Sequence, residues 1–212
     1  MSMFKLKKES PTITVILCPY NRPHLLQEQI QSIQSQSVPV SDIWLWYNKG
    51  SAPHTDVPDI KVAYCNHNFK FFRRFAFAIM AQTDYIALFD DDTMPGPNWL
   101  QHCLDYMKTH EGILGTTGIQ LTKKTYMPHI KVGWNGTNGP NETVEPVDLI
   151  GHAWFLKKEW LKYLWYEEPV SWDNGEDIHI SSYVVPHPED NMSVWGSTKE
   201  SDYGSDKHAS ET

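Results

Sequence analysis

Two groups of neighbouring carboxylates are the residues of this chain most suited to chemistry. Asp90, Asp91 and Asp92 directly follow a run of apolar residues, and Glu176 and Asp177 come late in the chain. Three adjacent carboxylates at the end of a buried strand repel one another unless a cation offsets their charge. A hard divalent ion is the natural cation, because Mg²⁺ or Mn²⁺ takes few protein carboxylates and completes its shell with phosphate and water. The motif alone leaves a solvated acidic turn or a helix N-cap open as the alternative.

The later pair, Glu176 and Asp177, also has two interpretations. Acidic side chains are favoured in the first turn of a helix, at the positive end of the helix dipole. A carboxylate beside aromatic residues can instead act as a general base toward a hydroxyl group. His187 follows in Val-Val-Pro-His-Pro-Glu-Asp and is a candidate ligand of a metal ion or a phosphate.

The elements that position these groups alternate between strand and helix in the first half of the chain. Short apolar runs predict strands at 12–18, 43–47, 59–65 and 84–89. Apolar residues at helical spacing predict helices at 23–33, 70–82 and 98–108. This order predicts an α/β fold, in which a mostly parallel sheet carries helices on both faces.

Polar clusters directly follow three of the predicted strands. They are Pro19-Tyr20-Asn21-Arg22, Asn48-Lys49-Gly50-Ser51 and the aspartate triplet that begins at Asp90. Ligands of parallel sheets bind at the carboxyl ends of the strands, so all three clusters are predicted to form one binding site.

The second half of the chain is less regular. Short β segments surround a loop rich in glycine and asparagine between 112 and 148, and helices are expected near 157–164 and at the Glu176–Asp177 pair. We expect a single domain over residues 1–212, with a smaller β-rich subregion and a polar, mobile tail at 195–212.

Composition limits the partners of the chain. Its 212 residues include 18 Lys+Arg and 26 Asp+Glu, a net charge of −8, so it lacks the clustered positive charge of general nucleic-acid binders. Three cysteines are too few for a disulfide framework, and we therefore expect a reducing, cytoplasmic location. The apolar runs are too short to predict a signal peptide or a transmembrane span.

In this order, the motifs resemble those of GT-A type nucleotide-sugar glycosyltransferases, especially the inverting, family-2-like enzymes. The shared features are a P-Y-N-R-like loop followed by an S-I-x-x-Q helix end, a polar turn, an N-x-G-x-x-x-A-R-N-like segment (NHNFKFFRR), a D-x-D motif and a later E-D pair. The resemblance covers about residues 12–180. It implies a Rossmann-like sheet with a nucleotide-sugar-binding half at 12–110 and an acceptor-binding half at 111–190. The chain also resembles virus-encoded members of this group that build capsid glycans, which would place it in the host cytoplasm.

The resemblance also implies residue roles for the donor, which would be a UDP-sugar by preference. Tyr20 would stack on the uracil, and Asn48 would hydrogen-bond it at a position where the family commonly has Asp. The full set of expected donor contacts is Cys18, Pro19, Tyr20, Asn21, Arg22, Asn48, Arg73, Asp90 and Asp91. In the same segment the family's usual Gly is Asn68 here, and its usual Asn is Arg74.

Further roles follow for the metal ion, the base and the acceptor. Asp92 and His187 would hold Mn²⁺ or Mg²⁺, Asp177 would be the general base, and Glu176 would bind the acceptor or orient Asp177. A glycan or glycoprotein acceptor would contact Trp134, Trp154 and Trp172. Filling the core is the alternative for each of these tryptophans.

Three other functions share some of these motifs. Aspartate-nucleophile phosphohydrolases also place D-x-D after an apolar strand, but they want Thr or Val where Met94 stands here. Sugar-phosphate nucleotidyltransferases need a Gly-rich first loop, which Cys18-Pro-Tyr-Asn-Arg22 is not. A non-catalytic sugar-binding module would suit the tryptophan content, but it does not require the two groups of carboxylates.

Overall fold

The structure is a computed structural model that describes residues 10–51, 59–110, 112–133, 144–184 and 193–194. Its strands are β1 (Ile13–Leu17), β2 (Asp42–Tyr47), β3 (Lys61–Tyr64), β4 (Tyr85–Phe89), β5 (Leu114–Gly115), β6 (Thr117–Leu121), β7 (His129–Gly133), β8 (Glu145–Pro146), β9 (Leu149–Gly151), β10 (Ala153–Lys157) and β11 (Ser193–Val194). Its α-helices are α1 (Leu26–Gln34), α2 (Arg73–Ala78), α3 (Trp99–Tyr106) and α4 (Glu176–Val184). Two 3₁₀ helices, Pro23–Leu25 and Lys158–Trp165, complete the elements in these ranges.

The main sheet has the strand order β3-β2-β1-β4-β10-β5-β11-β8. The first four strands are parallel, and β10 runs antiparallel to β4, with Ala153 opposite Phe89. A second sheet, in the order β7-β6-β9, forms the smaller β-rich region. The predicted α/β class with a mostly parallel central sheet is therefore confirmed.

The strands at the centre of the main sheet are buried along their whole length. Every residue of β1 is at most 1% exposed, and Ile86 to Phe89 of β4 are equally buried. A strand covered on both faces has no polar side to present, which is why these segments are continuous apolar runs in the sequence. The four strands predicted in the first half all form, with ends that differ by one or two residues.

Two helices differ from their predictions. The helix expected at 70–82 is only α2, from Arg73 to Ala78. It begins after Lys70, because Lys70 has a φ of 53° and left-handed backbone cannot belong to an α-helix. The helix expected at 157–164 is a 3₁₀ helix, Lys158–Trp165. Among the described residues, no helix has the length and apolar character needed to cross a bilayer.

Candidate active site

A cavity of about 380 Å³ lies at the carboxyl ends of β1 and β4, where the sequence predicts a binding site. We call it the acidic cavity. Its lining residues are Cys18, Tyr20, Asn21, Arg22, Asn68, Lys70, Phe71, Arg73, Arg74, Asp90, Asp91, Asp92 and Asp173. The structure thus brings the residues after β1 and β4 together with the NHNFKFFRR segment.

A larger cavity, of about 920 Å³, lies at the opposite edge of the sheet. Ser10, Thr83, Asp84 and Tyr85 line it, so it adjoins the amino ends of β1 and β4. Parallel sheets bind ligands at their carboxyl ends, and the acidic triplet is not in this larger cavity. We therefore take the smaller, acidic cavity as the candidate site.

Two buried glutamines, Gln29 in helix α1 and Gln36 just after it, hold the acidic loop. The Nε2 of Gln29 donates to the carbonyl oxygens of Asp90 and Thr93, at 2.6 and 2.8 Å. Gln36 closes the S-I-x-x-Q motif; its Nε2 donates to the Gly96 carbonyl at 2.7 Å, and its Oε1 accepts from the Leu100 amide at 3.1 Å. The loop after β4 is thereby fixed against the first helix.

Two arginines offset the charge of the aspartate triplet. Arg22 Nη1 lies 2.8 Å from Asp91 Oδ1, and Arg22 Nη2 lies 3.4 Å from Asp92 Oδ2. Arg74 forms an ion pair with Asp90. Guanidinium groups of the chain therefore balance part of the charge for which the sequence predicts a divalent cation.

Asp91 is committed to the loop that follows β1. Its Oδ2 accepts hydrogen bonds from the backbone amides of Tyr20 and Asn21, at 3.2 and 3.0 Å, in addition to the Arg22 ion pair. These bonds shape the loop and leave Tyr20 37% exposed at the cavity. Pro19 is buried and does not line the cavity.

Asp90, Asp92 and His152 form a group that could hold a metal ion. One ligand atom from each lies within 4.8 Å of the others. Asp92 is 9% exposed, and its Oδ1 has no hydrogen-bond partner among the described residues, as expected for an atom that faces a cation. The expected ligand His187 lies outside the described residues.

The pairing of β10 with β4 explains the position of His152. Because Ala153 is opposite Phe89, the preceding residue lies beside Asp90, and the Asp90 amide donates to the His152 carbonyl at 3.0 Å. His152 has a φ of 66°, a left-handed conformation that is uncommon outside glycine and is often found at functional sites.

Asn48 does not face the cavity, which corrects its assignment as a base contact. Its side chain is 4% exposed, its Oδ1 accepts from Trp46 Nε1 at 2.9 Å, and its Nδ2 donates to Asn68 Oδ1 at 2.8 Å. Arg73 does line the cavity. Its guanidinium donates to the carbonyl oxygens of Lys70 and Cys18, the latter at 3.3 Å.

Glu176 and Asp177 open helix α4, as predicted, but in different environments. Glu176 is 6% exposed, and burial raises the pKa of its carboxyl from 4.5 to about 7, although the Arg74 charge opposes this shift. Asp177 is partly exposed, and its Oδ1 accepts from the Ile178 amide at 2.8 Å. Neither residue lines the acidic cavity.

The tryptophans expected at the acceptor divide between core and surface. Trp154 is 2% exposed and packs edge-on against Phe75, with the Arg74 guanidinium 5.0 Å from its ring centre, so its assignment to acceptor contact is wrong. Trp172 is 50% exposed and stacks on Trp165. Trp134 lies outside the described residues, as does the tail at 195–212.

Trp172 lines a third, apolar cavity of about 570 Å³, which we call the aromatic groove. Its aromatic lining is formed by Trp46, His67, Phe69, Phe72, Trp165 and Trp172. Asn68, Lys70, Arg73 and Asp173 line both this groove and the acidic cavity, so the two spaces adjoin.

Sequence reasoning did not single out Arg74 or His152. The sequence does contain a signal for Arg74, because a second arginine in an otherwise apolar helix must find carboxylates or other hydrogen-bond acceptors when the helix packs on the sheet. The sequence contains no comparable signal for His152, because its position beside Asp90 depends on which strand β10 pairs with.

Comparison with known proteins gives the same fold. None of the curated proteins compared matches this chain. A crystal structure of S. aureus TarS is similar at a TM-score of 0.60 and 15% sequence identity, over 89% of this chain and 35% of that one. TarS 1–349 in complex with UDP (TM-score 0.60, 15% identity) is matched over 87% of this chain and 58% of that chain, and its UDP-GlcNAc complex (0.60, 15%) over 87% and 56%.

This chain therefore spans between about a third and three fifths of the TarS chains. At 15% identity the likeness concerns the fold alone. The family model described as Glycosyl transferase family 2 matches residues 14–165, from β1 to the end of the second 3₁₀ helix. That match covers well over half of the sequence, and the chain belongs to glycosyl transferase family 2.

Proposed function

We propose that this chain transfers a sugar from a nucleotide diphosphate donor, UDP-linked by preference, to a glycan hydroxyl with inversion at the anomeric carbon. The observation that carries the proposal is the acidic cavity, which joins two carboxylates able to hold a cation to a wall of arginine and lysine. Family membership supports it. So does the likeness to TarS, which was crystallised with UDP and with UDP-GlcNAc.

Residues of the first half would bind the donor. Lys70 and Arg73 supply positive charge for a diphosphate, and Tyr20 offers a partly exposed ring on which a nucleobase can stack. Arg73 is held in place by its bonds to backbone carbonyls, so it needs little rearrangement to meet the donor. This agrees with a nucleotide-sugar-binding half at 12–110 of a single domain.

Asp90, Asp92 and His152 would hold a divalent cation, because their ligand atoms converge and Asp92 Oδ1 is otherwise unpaired within the described ranges. The carboxylates favour Mg²⁺ or Mn²⁺, and the imidazole favours the transition metal of the two. When bound, such a cation stabilises the charge that develops on the leaving diphosphate. Arg22 and Arg74 fix the directions of the carboxylates around it.

Asp177 would take the proton from the acceptor hydroxyl. The neighbouring Glu176 has a pKa closer to neutrality, but a general base must touch the hydroxyl, and Glu176 is buried. Glu176 would instead orient the start of α4 beside Arg74. Trp172 would offer its exposed face to a sugar ring of the acceptor, in the half at 111–190.

The test is a screen of nucleotide sugars for slow hydrolysis in the presence of Mn²⁺, which needs no knowledge of the acceptor. The proposal expects one UDP-sugar to yield UDP and free sugar. In Asp177→Asn, UDP binding should persist while turnover falls by about 10²–10⁴-fold. Unchanged turnover would remove Asp177 as the base. Release of inorganic phosphate would indicate a phosphohydrolase instead.

A further inference from the structure

The hairpin formed by β6 and β7, residues 117–133, is basic in a chain that is acidic overall. It contains no aspartate or glutamate, whereas the whole chain has a net charge of −8. Its lysines, all exposed, are Lys123, Lys124 and Lys131. One acid adjoins it, because Asp148 Oδ2 accepts from the Leu121 amide at 2.6 Å, but a single carboxylate does not offset three lysines. We call this segment the basic hairpin.

The end of the basic hairpin also exposes apolar side chains. The exposed fractions are 38% for Leu121, 49% for Tyr126, 64% for Met127 and 44% for Ile130. Residues 121–128 are exposed without interruption, so this end projects from the protein. Clustered apolar side chains at a surface are typical of sites that bind another protein or a membrane.

Short-range contacts hold the projecting end in one shape. Thr122 Oγ1 donates to the Pro128 carbonyl at 2.6 Å, across the connection between the two strands. The rings of Tyr126 and His129 pack edge to face, with their centres 4.7 Å apart. The exposed side chains are therefore carried on an ordered backbone, and little backbone freedom has to be lost when they bind a partner.

The basic hairpin is separate from the candidate active site. None of residues 117–133 lines the acidic cavity, the aromatic groove or the larger cavity at the amino ends of β1 and β4. The proposed function therefore gives no role to its exposed side chains. What they offer a partner is positive charge on both sides of an apolar end.

An anionic lipid surface matches this chemistry. Its headgroups attract lysine, and the boundary between headgroups and acyl chains accommodates tyrosine and aliphatic side chains. A nucleic acid would offer phosphates but no apolar layer for Met127 or Ile130. A stable protein interface takes about 20–30 residues on each side, more than the projecting end provides. Lys131 on the edge strand β7 also disfavours strand pairing with a second copy of the chain.

We propose that the basic hairpin binds the surface of a membrane that contains anionic lipids. Lys123, Lys124 and Lys131 contact the headgroups, and Tyr126 and Met127 insert at the boundary with the acyl chains. Each lysine near such a surface contributes about fivefold in affinity, and the inserted side chains add the apolar area that leaves water. Because the attraction is partly electrostatic, binding weakens as the salt concentration rises.

The test is co-sedimentation of the chain with vesicles of phosphatidylcholine, either alone or with about one third phosphatidylserine, at low and at physiological salt. We expect binding to the phosphatidylserine vesicles only, and less of it at the higher salt. Lys123→Gln/Lys124→Gln should lower the partition coefficient about 25-fold. The matched control is Lys108→Gln/Lys162→Gln, which removes the same charge at two other exposed lysines and should bind as the wild type does.

Tyr126→Ser/Met127→Ser tests the insertion. This variant keeps every charge, so its binding should remain sensitive to salt but be at least about tenfold weaker, because less apolar area leaves water. Both side chains are exposed, so the variant should fold, and urea unfolding checks that it does. Wild-type affinity in this variant would overturn the insertion of the hairpin.

The remaining outcomes decide the proposal as a whole. Failure of the wild type to bind phosphatidylserine vesicles at low salt would overturn it, and so would an equal loss of binding in the two pairs of lysine variants. The inference does not depend on the proposed function. UDP binding should be the same in all of these variants, because none of the changed residues lines the acidic cavity.

Discussion

Arg74 forms an ion pair with Asp90 and connects the two acidic groups of the chain. The Arg74 side chain is 5% exposed and that of Asp90 is 29% exposed. Burial alone would lower the pKa of Arg74, but the Asp90 carboxylate, with a smaller contribution from Glu176, outweighs this effect and raises that pKa. The same guanidinium thus serves the end of β4 and the start of α4, which lie far apart in sequence.

Replacing Arg74 by methionine should destabilise the fold, because Asp90 and Glu176 lose their shared positive neighbour. We expect the free energy of unfolding in urea to fall by about 2–3 kcal/mol, somewhat below the loss for a fully buried pair because Asp90 is partly exposed. Lys61→Met is the matched control, since Lys61 and Asp42 form an exposed pair. Its effect should stay below about 1 kcal/mol. Equal effects of the two substitutions would contradict a structural role for the Arg74 ion pair.

Glu176 should make stability depend on pH. Its pKa is about 7 in the folded protein and 4.5 ordinarily, so between these values the folded state holds a proton that the unfolded state has lost. The contribution of Glu176 to the free energy of unfolding is therefore largest below pH 4.5 and decreases as the pH rises through 7. Glu176→Gln should remove this decrease and gain about 2–3 kcal/mol relative to the wild type between about pH 5 and about pH 8.

Urea titrations at the two pH values measure this difference. The control is Glu159→Gln, at an exposed position. The difference in unfolding free energy between this variant and the wild type should be the same at both pH values. A Glu176→Gln variant whose difference from the wild type is also constant would show that Glu176 titrates normally.

His152 should contribute to binding of Mn²⁺ without nucleotide. Even indirect partners of a metal site are worth 10–100-fold in affinity, so His152→Ala should weaken Mn²⁺ binding at least about tenfold. Mg²⁺ binding should change less, because Mg²⁺ prefers oxygen ligands. Free Mn²⁺ can be followed by its paramagnetic resonance signal, with His110→Ala as the control at an exposed histidine. Full Mn²⁺ affinity in His152→Ala would exclude His152 as a ligand.

The two described tryptophans that the sequence predicts at the acceptor, Trp154 and Trp172, should differ in their effect on stability. Trp154→Ala leaves a cavity between β10 and α2 and should cost about 3–5 kcal/mol. Trp172→Ala removes a half-exposed ring and should cost about 1 kcal/mol or less. Urea unfolding measures both. A small loss of unfolding free energy in Trp154→Ala would indicate that this ring lies at the surface and is again a candidate acceptor contact.

The parts of the fold that depend on local patterns of apolar and polar residues could be predicted from the sequence. The strands β1, β2 and β4 are apolar runs because both faces of the sheet are covered, and the polar clusters after them are visible as breaks in those runs. The start of α2 could not be predicted in this way. Lys70 has left-handed backbone, which excludes it from the helix, and it is not a glycine, so the sequence does not indicate this conformation.

The site was less predictable because it depends on long-range pairing. His152 reaches Asp90 only through the antiparallel register of β10 on β4, which no local pattern specifies. Asn48 follows β2 as expected, yet its side chain turns inward because Trp46 and Asn68 satisfy its amide there. The sequence alone does not distinguish Trp154 from Trp172. Trp154 is a core residue because β10 is covered, whereas Trp172 lies at the surface.

The most direct test of the proposed function is calorimetric titration of UDP into the chain with and without Mn²⁺, in the wild type and in Asp92→Asn. We predict saturable UDP binding that Mn²⁺ strengthens by about tenfold or more in the wild type and by much less in Asp92→Asn, in which one carboxylate ligand is lost. Absence of UDP binding by the wild type in the presence of Mn²⁺ would contradict the assignment of the acidic cavity as a nucleotide-sugar site.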